Sequence, residues 1–156
     1  MSEPAFIYED HVHEEWVDYN GHMNDAAYAA VFSHAVDHFM AYIGLHEKAR
    51  DMYRYTIFTL ETHLCYLKEA HENEEIYVSV QLLDADTKRI HAFFVMKNKN
   101  DQTVATSEQM LMGINMETGR PGPFPEPTAQ KVAELRKAHH SLEKPKQAGR
   151  QIGIKR

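Results

Sequence analysis

Between Asn24 and Ile43 the apolar residues Tyr28, Val31, Phe32, Ala35, Phe39, Tyr42 and Ile43 return at spacings of three and four. That is the stripe of one long amphipathic helix of about five turns. Gly44 stands where such a helix would stop. The pattern then switches to period two, so the chain must build a sheet that buries one face against this helix.

The period-two runs are well marked. Phe6–Val17 suits a first strand before the helix. After it, Ile57–Tyr66 alternates Phe58, Leu60, Leu64 and Tyr66 on one face with Thr59, Glu61, His63 and Cys65 on the other. Ile76–Leu83, Arg89–Lys97 and Thr103–Asn115 follow, separated by polar turns, and the last four strands read as an antiparallel meander. Gly119–Pro127, with two glycines and four prolines, ends the sheet, and Thr128–His140 reads as a short helix capped by Thr128. The expected class is α+β, a single hotdog domain of order β-α-β-β-β-β in which an antiparallel sheet wraps one long helix. Residues 1–140 form this domain, with a basic, solvated tail at 141–156. A lone sheet of this kind leaves an edge uncovered, so a homodimer or homotetramer is expected.

At 156 residues and 43% hydrophobic, the chain has the material for one core. Five basic residues against Glu143 make Ser141–Arg156 net +4, which leaves −10 on the remainder of a chain of net charge −6. An acidic body does not suit phosphate backbones, so no nucleic-acid partner is expected. The apolar runs are too short to span a bilayer, and a single cysteine, Cys65, forms no internal disulfide. A cytoplasmic protein without a membrane partner is expected.

GxSxG, CxxC, Walker, GxGxxG and HExxH patterns are all missing. His11 and His13 raise a metal pair, but the sequence offers no identifiable third ligand, and no metal site is expected. The richest polar stretch is VDYNGHMNDAAY, Val17–Tyr28. Asn24 or Asp25 suffices to cap the helix, leaving Asp18, Asn20, Gly21 and His22 to be explained. Two readings are open to Asp18. It can fold the Asp-x-Asn-Gly segment into a turn. It can also stand as nucleophile or base opposite the free N–H groups of the helix N-terminus, which stabilise an oxyanion.

The same stretch, with Asp18, Asn20-Gly21-His22, Asn24 and Tyr28, resembles the opening motif of hotdog-fold acyl-CoA thioesterases of the 4-hydroxybenzoyl-CoA thioesterase type. Together with FTLETHLCYL, KRIHAFF and ATSEQMLMGIN, it resembles the betainyl-CoA thioesterases of carnitine degradation, and the likeness covers about Phe6–Asn115. The resemblance implies hydrolysis of a small acyl-CoA, with Asp18 as the catalytic carboxylate, the helix start as oxyanion hole, and paired sites across a dimer interface. Thioesterases for aromatic or aliphatic acyl groups and a non-catalytic acyl-CoA-binding hotdog are the alternatives. No cofactor is implied, coenzyme A being part of the substrate.

Around Asp18, the expected catalytic set adds His22, Asn24 and Glu61. Asn20 orients Asp18 or the substrate. Trp16, Tyr28 and Thr59 are expected on the substrate, the aromatic faces suiting a quaternary ammonium that donates no conventional hydrogen bond. Lys88 and Arg89 are candidates for the coenzyme A phosphates.

Overall fold

The computed structural model describes residues 3–156; Met1 and Ser2, the first residues of the expected domain, lie outside them. The long helix is α1, Asp25–Tyr42, capped by the Asn24 side chain, which accepts from the Ala27 N–H at 2.9 Å. It ends at Gly44, whose φ of +91° is the left-handed conformation glycine adopts freely. Its buried stripe runs from Ala27 through Val31, Phe32, Ala35 and Phe39 to Met40.

Around α1 lie β1 (Ala5–His11), β2 (Tyr55–Tyr66), β3 (Glu75–Ala85), β4 (Arg89–Asn98) and β5 (Thr103–Asn115), in the spatial order β1-β3-β4-β5-β2. All pairings are antiparallel. The α+β hotdog arrangement is borne out, with one correction. Strands β3, β4 and β5 meander, but β2 pairs with β5, so the chain crosses from one edge of this group to the other between β2 and β3. Ile76, Val78, Val80 and Leu82 of β3 and Ile90, Ala92, Phe94 and Met96 of β4 form the inner face against α1. Phe94 meets Phe32 and Phe39 edge-on, with ring centroids 6.5 and 6.1 Å away.

Several boundaries differ from expectation. The first strand stops at His11 and passes into a 3-10 turn at Glu14–Trp16. A short helix, α2 (Glu47–Tyr53), follows α1; at seven residues it is too brief to show a periodic stripe. A two-residue strand, β6 (Arg120–Pro121), pairs with the end of β5 inside the proline-rich stretch. The last helix, α3 (Glu126–His139), starts at a Pro125 cap rather than at Thr128, because proline suits a first helical turn; Thr128 is buried within it.

The chain beyond His140 lies across the outer face of the sheet at two points. The Glu143 carbonyl accepts from Gln81 Nε2 at 3.3 Å, and the Gly149 N–H donates to Glu108 Oε1 at 2.7 Å. No helix among the described residues is long and apolar enough to cross a membrane.

Candidate active site

The Val17–Asn24 segment is a closed turn stitched to its neighbours. Asp18 N donates to the His22 carbonyl at 2.9 Å and Gly21 N to the Asp18 carbonyl at 2.9 Å, with Val17 and Met23 bridged across the base. Gly21 sits at φ +77°, which a β-carbon disfavours, so glycine is what lets the chain double back. Asp18 Oδ1 accepts from the backbone N–H of Asn20 at 2.8 Å and of His22 at 3.2 Å. Asp18 therefore does fold the turn, and it does so with one oxygen. Oδ2 has no hydrogen-bond partner among the described residues, and the side chain is exposed.

Asn24 ties this turn to the helix. Its backbone N–H and its Nδ2 both donate to the Trp16 carbonyl, at 2.8 and 2.9 Å, while its Oδ1 caps Ala27. Both ends of the amide are thus occupied in positioning. The backbone N–H groups of Asp25 and Ala26, in the first turn of α1, have no such partner among the described residues. A free carboxylate oxygen and open helix N–H groups sit at the two ends of one six-residue bend.

The other expected residues fall into three places. Trp16 and Tyr28 join Asp18, Asn20, His22 and Asn24 at this end. Trp16 stacks on His13 at 4.0 Å between ring centroids. Tyr28 is buried under Tyr66, edge-on at 5.3 Å, and its hydroxyl accepts from Ala70 N at 3.1 Å. Burial pushes the Tyr28 phenol above its ordinary range, opposed by that N–H donor. Its hydroxyl is thus held by backbone, while Tyr66 is half exposed above it and donates to the Asp25 carbonyl at 3.4 Å.

Thr59 and Glu61, expected on one face of β2, lie on opposite faces. A bulge at Leu60 places two residues of β2 against one of β5: Thr59 pairs with Leu111, and Glu61 with Met110. Thr59 consequently faces the helix, in a cavity of about 490 Å³ between α1 and β2 lined also by Ala29, Phe32, Ser33, Val36, Thr62, Leu64 and Gln109. Glu61 faces outward near His63, His91 and Glu108. His91 Nε2 is 2.7 Å from Glu108 Oε2. Burial would raise the Glu108 carboxyl, but the Gly149 N–H and His91 outweigh it and hold it low.

Lys88 and Arg89 lie at the far end of the ten-residue strand β4, about 30 Å from the turn end at 3.3 Å per residue. Arg89 is engaged by Asp86 at 2.6 and 2.7 Å, and this pairing, with two backbone N–H donors, holds the Asp86 carboxyl down to about 2. Within one chain neither residue meets Asp18.

Three features escaped the sequence. Gln109, buried in the cavity wall, donates to Ser107 Oγ at 3.0 Å and leaves its Oε1 without a partner among the described residues. His71 faces His22 across an antiparallel bridge, and Glu69 Oε2 lies 3.4 Å from His22 Nε2. The third is Asp10, a carboxylate against His11 and His13 that gives this pair the third potential ligand it had lacked. A polar residue at an inward strand position is the signal that could have found Gln109; nothing local marks His71, forty-nine residues from its partner.

A single long helix cradled by an antiparallel sheet, entered through a turn that a half-free carboxylate closes, is the architecture of a hotdog protein. The profile of the thioesterase-like superfamily matches residues 12–132. The chain belongs to that superfamily, and the expected thioester hydrolase class is borne out. It is 42% identical to a betainyl-CoA thioesterase of Pseudomonas aeruginosa, over 99% of its own length and 98% of the other's. It is 36% identical to an L-carnitine dehydrogenase/betainyl-CoA thioesterase of a Rhizobium species, over 98% of this chain but 31% of that longer protein. A Staphylococcus aureus protein solved in complex with CoA superposes with a TM-score of 0.92 at 35% identity, covering 99% of this chain and 98% of the other.

Proposed function

We propose that this enzyme hydrolyses betainyl-CoA to glycine betaine and coenzyme A. The observation that carries the substrate is the 42% identity, over nearly both full lengths, to the Pseudomonas aeruginosa betainyl-CoA thioesterase. The Val17–Asn24 geometry supports the chemistry. Asp18 attacks the thioester carbonyl through Oδ2, or accepts a proton from the water that does, while Oδ1 keeps the turn closed. The N–H groups of Asp25 and Ala26 stabilise the oxyanion, and the C–S bond breaks to release the thiolate, which takes up a proton; where Asp18 itself attacked, water then hydrolyses the acyl-aspartyl anhydride, freeing the acid and restoring the carboxylate. Asn20, His22 and Asn24 position the carboxylate; no metal or redox cofactor takes part in these steps.

The acyl group enters the cavity between α1 and β2, with Thr59 and the Gln109 Oε1 as its polar points. A trimethylammonium has no hydrogen to donate to oxygen or nitrogen in a conventional bond, so a partial negative charge and aromatic faces such as Tyr66 and Trp16 are what favour it. The chain works as a cytoplasmic homodimer or homotetramer. The support is β2, a twelve-residue edge strand whose Phe58 and Leu60 are each about half exposed. In such an assembly Glu61, Lys88 and Arg89 serve a site completed by the partner.

The test is thioester loss from a panel of betainyl-, acetyl-, benzoyl- and long-chain acyl-CoA, with the preparation's mass read by light scattering. Betainyl-CoA is expected to give the highest kcat/KM and the mass to be two chains or a multiple. Equal rates on acetyl- and betainyl-CoA overturn the cationic specificity, absence of turnover overturns the enzyme, and a one-chain mass overturns the shared edge.

A further inference from the structure

Two groups of side chains bring histidine and carboxylate donor atoms within 4.8 Å of one another: Asp10, His11 and His13, and His22, Glu69 and His71. Ring geometry separates them. The lone pair an imidazole gives to a metal lies in the ring plane. His11 and His13 are stacked, with planes 13° apart and centroids 4.5 Å apart, so their lone pairs run in nearly parallel sheets and do not converge on one ion. Asp10 is also committed, since Oδ1 accepts from His11 N and His13 Nε2 at 2.8 Å each and Oδ2 from the Tyr8 hydroxyl at 2.6 Å.

His22 and His71 have the opposite arrangement. Their rings meet at 80° with centroids 4.8 Å apart, so the two planes cross and one ion can lie in both, and one donor atom of each ring lies within 4.8 Å of the other and of a Glu69 oxygen. The third donor is already spaced for it. Four ligands at about 2.0–2.1 Å around tetrahedral zinc lie about 3.3–3.4 Å from one another, and His22 Nε2 is 3.4 Å from Glu69 Oε2. The two backbones are fixed by Met23 N to the Ala70 carbonyl at 2.8 Å and Glu72 N to the Gly21 carbonyl at 3.2 Å. Glu74 Oε1 holds the His71 backbone by accepting from its N–H at 3.0 Å.

We propose that His22, Glu69 and His71 bind one zinc ion, with a fourth position open to water, and that the bound ion slows the thioesterase. Two imidazoles and one carboxylate suit zinc, whereas magnesium and calcium favour all-oxygen sites. The slowing rests on the reading of Asp18 as the reacting carboxylate. His22 gives its N–H to Asp18 Oδ1 and its carbonyl to Asp18 N, so an ion on its ring freezes that turn against segment 69–74. With the Glu69 carboxylate it also leaves a net positive charge at the turn that carries Asp18, which disfavours a cationic acyl group there.

The test titrates cobalt(II), whose visible bands report tetrahedral binding, into the chelator-stripped full chain, then follows betainyl-CoA loss by thioester absorbance with and without zinc. One equivalent of cobalt is expected on wild type and on the His11→Ala/His13→Ala double variant, with binding at least about tenfold weaker in His71→Ala. Saturating zinc is expected to slow wild type several-fold and to leave His71→Ala, whose metal-free rate is unchanged, unaffected; magnesium does neither. Equal cobalt binding by His71→Ala, loss of binding in the double variant, or an undiminished rate in zinc-loaded wild type overturns the proposal. A chain that binds cobalt at this site and hydrolyses no acyl-CoA overturns the proposed function instead of the site.

Discussion

Asp10 and Asp18 stand eight residues apart, each bonded to a histidine, and Oδ1 takes one backbone N–H in Asp10 and two in Asp18. Asp10 is saturated. Tyr8, His11 and His13 occupy both its oxygens, and although burial pulls its carboxyl up, these donors win and hold it below the ordinary range. Asp18 keeps Oδ2 free in the open, seven residues before the first N–H groups of α1, which have no partner among the described residues. The difference teaches that two carboxylates can share a hydrogen-bonding pattern and still differ in the oxygen left free, which is what the proposed role of Asp18 needs. What separates structural from chemical work is a remaining lone pair with somewhere to act.

The largest expected effect tests that separation. Asp18→Asn keeps an oxygen for the Asn20 and His22 N–H groups, so the turn survives, while the charge and basicity go. Thioester hydrolysis should fall by at least about a hundredfold, with the Tm unchanged. Asp10→Asn should leave the rate within a few-fold of wild type. A folded Asp18→Asn chain with full activity breaks the comparison, and so does an Asp10→Asn chain that loses as much.

The sequence showed one of these two regions far better than the other. VDYNGHMNDAAY is a local motif, and its turn, cap and helix start all form within twelve residues. Strand and helix periods were equally legible, because burial on one face repeats along the chain. The bulge at Leu60 was not, since alternation looks intact on either side of it; one extra residue moved Glu61 to the face away from Thr59. The pairing of β2 with β5, and of His22 with His71, depends on which distant backbones meet, and no local period records that. Lys88 and Arg89 were read from charge alone, which carries no distance.

Gly21→Ala sharpens the comparison by disturbing the Asp18 turn without touching its chemistry. Nothing lies within 4 Å of the added methyl, so the cost is that of a φ of +77°. About 1 kcal/mol is expected, a fall in Tm of about 2–4 °C. The rate should drop several-fold, between the two aspartate variants. An unchanged rate would mean that the exposed carboxylate needs no closed turn to react.

The smallest effect is the pH dependence of the Asp10 corner. His13 is raised above its ordinary 6.5, chiefly by its hydrogen bond to Asp10, so its contribution is full below that value and is lost as pH rises through the raised one. Asp10, lowered from its ordinary 3.8, contributes fully above that value and loses its part as pH falls through the lowered one. The two shifts describe one interaction, present in full between them. Because His13 is about one-third exposed, screening limits it to about 1 kcal/mol or less. The Tm gap between wild type and Asp10→Asn should therefore be widest from about pH 4 to 6.5 and shrink by about 2–4 °C at most toward pH 8. It should not vanish there, since the Tyr8 hydroxyl and His11 N–H still donate to the ionised carboxylate. A gap that grows above pH 6.5 contradicts the pairing with His13, and leaves the contrast with Asp18 resting on the neutral donors alone.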